Sequence, residues 1–123
     1  MPAIKRLPSE LPFPFSRAVQ AGGFIFLSGQ IPIDDAGQPI RGTIDAQTRV
    51  VLDRIATTLA ACEAGMADVV KVTVWLSDLA LFGQFNEVYR EYFAADALPA
   101  RSTVAAQLAF GVDIEIEVTA YRA

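Results

Sequence analysis

Arg101 lies in the run Pro99-Ala100-Arg101-Ser102-Thr103-Val104, and ten residues after Val104 the chain reads Ile114-Glu115-Ile116-Glu117-Val118. A guanidinium keeps its charge at any working pH and grips a carboxylate through two parallel hydrogen bonds. A carboxylate on a strand can orient a water or relay a proton. A fixed cation with a nearby acid would hold a small carboxylate and direct a water at it. The chain has no histidine, so any acid–base chemistry must come from groups such as these.

Each of these residues has a structural reading beside the chemical one. Pro99 restricts the backbone ahead of Arg101 and a strand begins just behind it, so its base is held rigidly. Spacing alone leaves Arg101 open between a ligand clamp and an ion-pair partner for Glu115 or Glu117. Those two acids share one strand face, either as a solvated outer surface or with the one nearer an interface aiming a water. Ser28-Gly29-Gln30 ends a buried strand, where glycine lets a ligand approach the backbone or simply marks the terminus. Ser28 has no histidine to activate it as a nucleophile. Asn86 sits among Phe82, Phe85 and Tyr89, where an amide must bond to a loop or to a substrate. Trp75 and Phe15 could wall a pocket or merely pack. Cys62 reads as a small core residue, and Asp34 and Asp35 read as turn residues rather than metal ligands.

The elements that must position these groups can be read from composition and periodicity. The chain has 123 residues, 53% of them apolar and 20% charged, which excludes disorder and fits one domain with a real core. Its net charge is −4 and its ten Lys and Arg residues are scattered, so no basic stripe exists for nucleic acid. No stretch approaches the roughly 18 apolar residues of a membrane helix, and Met1-Pro2-Ala3-Ile4-Lys5-Arg6 does not lead into a signal peptide. Cys62 is the only cysteine, which fits a reducing cytoplasm. With no histidine beside it, a zinc or haem site is not expected.

Residues 8–14 hold three prolines and cannot be regular structure. Ser16 to Gln20 and Phe24 to Ser28 read as a hairpin joined at Ala21-Gly22-Gly23, and Asp34-Asp35-Ala36-Gly37 as a turn. Val51, Ile55, Leu59 and Cys62 mark an amphipathic helix over about residues 45–64, with Gly65 as its stop. From Val69 to Ser77 the period becomes two, with Val70, Val72, Val74 and Leu76 on one face. Asp78 caps a second helix expected over about residues 79–94. A strand after Arg101 and a last one over residues 113–121 give the order β-β-α-β-α-β-β, with a small extra strand near residues 3–7. Two helices cover one sheet face. The other carries Thr73, Trp75, Glu115, Glu117, Thr119 and Tyr121, which predicts cover by a second copy of the chain.

In order along the chain, Pro14-Phe15-Ser16-Arg17-Ala18-Val19, Leu27-Ser28-Gly29-Gln30-Ile31-Pro32, Asp68-Val69-Val70-Lys71-Val72-Thr73-Val74, Phe85-Asn86-Glu87-Val88-Tyr89, the Arg101 run and Ile114-Glu115-Ile116-Glu117 resemble the RidA/YjgF family, whose older name is endoribonuclease L-PSP. The resemblance spans nearly the whole chain. It implies an α+β fold like that of chorismate mutase: a mixed sheet with two helices packed on one face, assembled as a homotrimer with clefts between subunits. It also implies hydrolysis of imines such as 2-iminobutanoate and 2-iminopropanoate to 2-keto acids and ammonia, without a cofactor, a membrane or a nucleic acid partner. The family's substrate-binding arginine falls on Arg101 and its water-orienting glutamate on Glu115. Ser28, Gly29, Phe15, Asn86, Thr103 and Trp75 fall among the residues about the substrate.

Two departures stand out. Phe15 occupies the place of a tyrosine in Gly-Pro-Tyr. The segment from Thr103 to Ile114, with Gln107 to Gly111, lacks the usual Leu-Pro and is about one residue shorter. Other readings use the same residues: a non-catalytic keto-acid binder or sensor, or a deaminase or isomerase for a larger unsaturated acid. The ribonuclease of the older name would need salt-sensitive RNA binding, for which this acidic, histidine-free chain offers little means.

Overall fold

Gly22 and Gly23 take φ of 57° and 89°, the left-handed pair that a tight two-residue hairpin requires. They join β2 (Ser16–Ala21) to β3 (Phe24–Leu27), and the leading strand β1 (Lys5–Pro8) pairs with β2. The computed structural model describes residues 3–123. Beyond β3 come α1 (Ile44–Ala61), β4 (Val69–Leu76), α2 (Phe82–Tyr89), β5 (Ala100–Ala105) and β6 (Ile114–Tyr121). The strands form one sheet in the order β1-β2-β3-β6-β4-β5, and only the β4–β5 pair is parallel. α2 supplies the crossover that a parallel pair needs.

The core lies between the helices and one sheet face. Val51, Leu52, Ile55 and Leu59 of α1 are fully buried against Val72, Val74 and Leu76 of β4 and Ile114, Ile116 and Val118 of β6. Burying each such side chain contributes about 1.5–3 kcal/mol. Thr43 caps α1, its hydroxyl accepting from the Ala46 amide at 3.1 Å. Cys62 is buried in this core.

Several expectations need correction. α1 does not run to Gly65. It ends at Ala61, and the reversal is made by Glu63, whose φ is 61°, with the Glu63 and Ala64 amides closing on Ala60 and Leu59 carbonyls. Gly65 instead opens the short 3₁₀ turn Met66–Asp68. Asp78 caps a 3₁₀ turn, Leu79–Leu81, ahead of α2, and α2 stops at Tyr89. The Glu91 and Tyr92 amides bond three residues back, which tightens the coil and turns Phe93 into the core against Tyr89. Val70 is not on the core face. A register shift between Val69 and Lys71 leaves Val70 exposed and buries Val69 in its place.

Candidate functional site

Glu115 is aimed by the start of β6. Asp113 receives hydrogen bonds from Ser77 Oγ at 2.7 Å and Gln47 Nε2 at 2.8 Å, and its amide donates to Gln47 Oε1 at 2.9 Å. That knot ties β6 to α1 and fixes the register two residues before Glu115. Glu115 pairs with Trp75 and Glu117 with Thr73, so both acids occupy the sheet face away from the helices. Their settings differ. Glu117 is exposed, whereas Glu115 is half-buried and lines a cavity of about 820 Å³ with Phe15, Gly29 and Gln30. Burial pushes the Glu115 carboxyl above its ordinary value, and the Glu117 charge adds to the rise.

Gly29 makes room for that carboxylate, because a Cβ at residue 29 would fall on Glu115 Oε2. Gln30 exchanges backbone hydrogen bonds with Ile116 at 2.8 and 3.0 Å, holding the Gly29 backbone beside β6. Arg17 and Arg54 also line the cavity, but each is engaged: Arg17 Nε donates to Thr58 Oγ1 at 2.8 Å, and Arg54 reaches Gln30, the Ile33 carbonyl and Asp35.

Arg101 occupies the opposite face. β5 runs parallel to β4 with Arg101 level with Val72 and Thr103 level with Val74, so both point to the helix side. The guanidinium lies 5.6, 5.2 and 4.7 Å from the ring centres of Phe82, Phe85 and Tyr89 on α2. Stacking on aromatic faces orients the planar fork without neutralising it. Among the described residues it has no carboxylate partner, so the ion pair with Glu115 or Glu117 that spacing left open does not form within the chain. Arg101 lines a second, smaller cavity of about 250 Å³ with Asn86, Tyr89, Arg90 and Leu98.

Around this cation the hydrogen bonding is incomplete. Among the described residues, four buried side-chain oxygens lack a partner: Thr48 Oγ1, Asn86 Oδ1, Tyr89 OH and Thr103 Oγ1. Asn86 and Tyr89 share the small cavity with Arg101, and Thr103 follows it on the same face of β5. An orphaned buried polar atom costs about 1–3 kcal/mol, and three of the four lie on the Arg101 side of the sheet. Burial raises the Tyr89 phenol above its ordinary value, opposed by the charge of Arg101.

The residues read from sequence therefore fall into two half-sites. Glu115, Gly29 and Phe15 meet in the larger cavity, and Arg101, Asn86 and Thr103 gather beneath α2. Within one chain the sheet separates them. Ser28 is committed elsewhere, its hydroxyl donating to the Ser16 carbonyl at 2.6 Å and so bracing the β2–β3 end. Trp75 is half-buried on the open face, pairing with Glu115, and lines neither cavity. The Tyr89 hydroxyl and Phe13 lie outside the residues that spacing or the resemblance marks, and Phe110 falls in the altered segment Gln107 to Gly111. Tyr89 is legible only as an aromatic on a helix stripe, and the two phenylalanines lie in irregular segments without periodicity.

A family model described as Endoribonuclease L-PSP matches residues 8–122. The chain belongs to this family. Its relatives include a RutC family protein of Pyrococcus horikoshii, 47% identical over 89% of this chain and 87% of the relative. Another is Reactive Intermediate Deaminase A, chloroplastic, of Arabidopsis thaliana, 40% identical over 87% of this chain and 58% of the relative. Among solved structures, E. coli TdcF with bound serine superposes with a TM-score of 0.85 at 32% identity, covering 96% of this chain and 94% of that one. The resemblance seen in the ordered motifs holds, and so does the α+β fold of a mixed sheet with two helices. No helix among the described residues is long and apolar enough to cross a membrane.

Proposed function

We propose that this member of the Endoribonuclease L-PSP family is a deaminase that hydrolyses 2-imino acids of the 2-iminobutanoate and 2-iminopropanoate type to 2-keto acids and ammonia. The observation that carries the reading is the free Arg101 guanidinium with three partnerless oxygens around it. A relative that is named a reactive intermediate deaminase supports it. Arg101 holds the substrate carboxylate by its fork and the Tyr89 and Thr103 hydroxyls donate to it, while Asn86 Oδ1 accepts from the imine N–H. Glu115 accepts a proton from water as the oxygen bonds to the imine carbon. That proton passes to the imine nitrogen to give the carbinolamine, which collapses as its hydroxyl proton moves to the nitrogen, the C–N bond breaks and ammonia leaves the keto acid. Burial holds the Glu115 carboxyl above its ordinary value, which makes it a stronger proton acceptor than a solvated carboxylate.

The two half-sites meet between subunits of a homotrimer, the cation face of one copy against the acid face of the next. Phe24, Phe26 and Tyr121, all exposed on the face away from the helices, give that surface the apolar character of an interface. A keto-acid binder or sensor would use the same grip, and turnover separates the two. The test follows 2-keto acid release from imine generated freshly by a dehydratase, with Arg101→Ala as control. The wild-type chain accelerates release and Arg101→Ala does not. Acceleration retained in that variant rejects the reading.

A further inference from the structure

Glu115 lines a cavity much larger than a four-carbon substrate needs. Its volume of about 820 Å³ falls in the range that takes a drug-sized ligand. Leu11, Phe13, Phe15, Ile31, Ile33 and Phe110 supply its apolar lining. Phe13 stacks on Phe15 with ring centres 6.2 Å apart and meets Phe110 at 6.3 Å. All three rings keep 44–48% of their surface exposed, so they form a wall and not a core.

The wall is held in place. Phe110 has φ 61° and ψ 11°, a left-handed backbone that a bulky residue rarely adopts. Arg41 clamps it, donating from Nη2 to the Phe110 carbonyl at 2.9 Å and from Nη1 to the Gly111 carbonyl at 3.4 Å. Strained backbone of this kind persists where its surroundings fix it, often beside ligands. Among the polar groups of the lining, Arg17 Nε and the Arg54 guanidinium already hold hydrogen bonds. Phe15 carries no hydroxyl, so the ring it adds to the lining is apolar throughout.

We infer that the site is built for 2-imino acids with a bulky apolar side chain, aromatic or branched, which Phe13, Phe15 and Phe110 select by contact. This rests on the deaminase reading and narrows it. The imine carbon lies at Glu115 and the side chain extends along the three rings. Arg41 acts as a positioning residue through the Phe110 carbonyl.

The test compares imines made in situ by an L-amino-acid oxidase, with catalase present, from phenylalanine, leucine and alanine. Keto-acid release is read against trapping by semicarbazide. The kcat/KM for the phenylalanine- and leucine-derived imines exceeds that for the alanine-derived imine by roughly 10-fold or more. Phe110→Ala and Phe13→Ala bring that ratio close to one. Arg41→Ala lowers it as well, and Arg41→Lys restores part. Calorimetry of phenylpyruvate and pyruvate binding runs in parallel. Turnover of the small imine with no preference for the large ones, and no tighter binding of phenylpyruvate, overturns this inference and leaves the deaminase standing. Tighter phenylpyruvate binding that depends on Phe110, without turnover of any imine, upholds the apolar selection and removes the chemistry.

Discussion

The Glu115 carboxylate rests against Gly29 so closely that a Cβ at residue 29 would clash with Oε2 and lie 3.1 Å from Cδ. Gly29 does not have a positive φ, so its backbone accepts alanine and only the acid must move. Gly29→Ala is expected to lower kcat/KM about 100-fold by misplacing the carboxylate, while Tm shifts by only a few degrees. Parallel kinetics and thermal melts check this. Full activity in the folded variant would mean that the position of the acid is not critical.

Glu115 titrates above its ordinary value because it is buried and then because Glu117 lies nearby. In the folded chain the proton is held more tightly than in the unfolded one, so this group favours folding less as pH rises through the raised value. The ionised form accepts the proton from water, so kcat/KM should climb through an acid limb above the ordinary carboxylate value. Glu117→Gln removes one cause of the rise and moves that limb to lower pH. A limb that stays in place would mean that the Glu117 charge does not act on the titrating group.

Thr48 and Thr103 both hide an unpartnered hydroxyl, and the two are expected to diverge on substitution. Thr48→Val replaces an orphaned polar atom with a methyl and should add about 1 kcal/mol of stability, with catalysis unchanged. Thr103→Val should stabilise similarly yet weaken keto-acid binding roughly 5-fold or more, the worth of one hydrogen bond. Denaturant titration and calorimetry separate the effects. Equal affinity in both variants would remove Thr103 from the ligand's surroundings.

Arg101 and Glu115 belong to opposite sheet faces, so complementation between damaged copies can locate the complete site. Arg101→Ala and Glu115→Gln are each expected to be inactive alone. Unfolded and refolded together, they should recover roughly a quarter of wild-type activity, since randomly mixed rings retain some clefts with both native groups. No recovery would assign both groups to one subunit.

Much of the fold is legible in the sequence because it is periodic. Val72, Val74 and Leu76 alternate as a strand should, and Val51, Ile55 and Leu59 recur as a helix should. The exceptions are local competitions that periodicity does not report. A bulge swaps Val69 for Val70 on the core face, and Glu63 takes the left-handed turn that a glycine two residues later invited. The site was legible in its residue types and not in its arrangement. Glu115 and Arg101 are near in sequence, but which face Arg101 takes depends on the parallel register of β5 with β4, set by the crossover through α2. The aromatic wall was hidden for another reason: Phe13 and Phe110 converge from two irregular segments, where no repeat predicts direction.

The back-to-back placement of cation and acid also limits how copies can associate. In the proposed assembly each molecule lends one group forward and the other behind, so a linear string strands an unused half at either end. A two-fold pair joins the same patch on both copies and would set like face against like. Only a closed loop leaves no group idle.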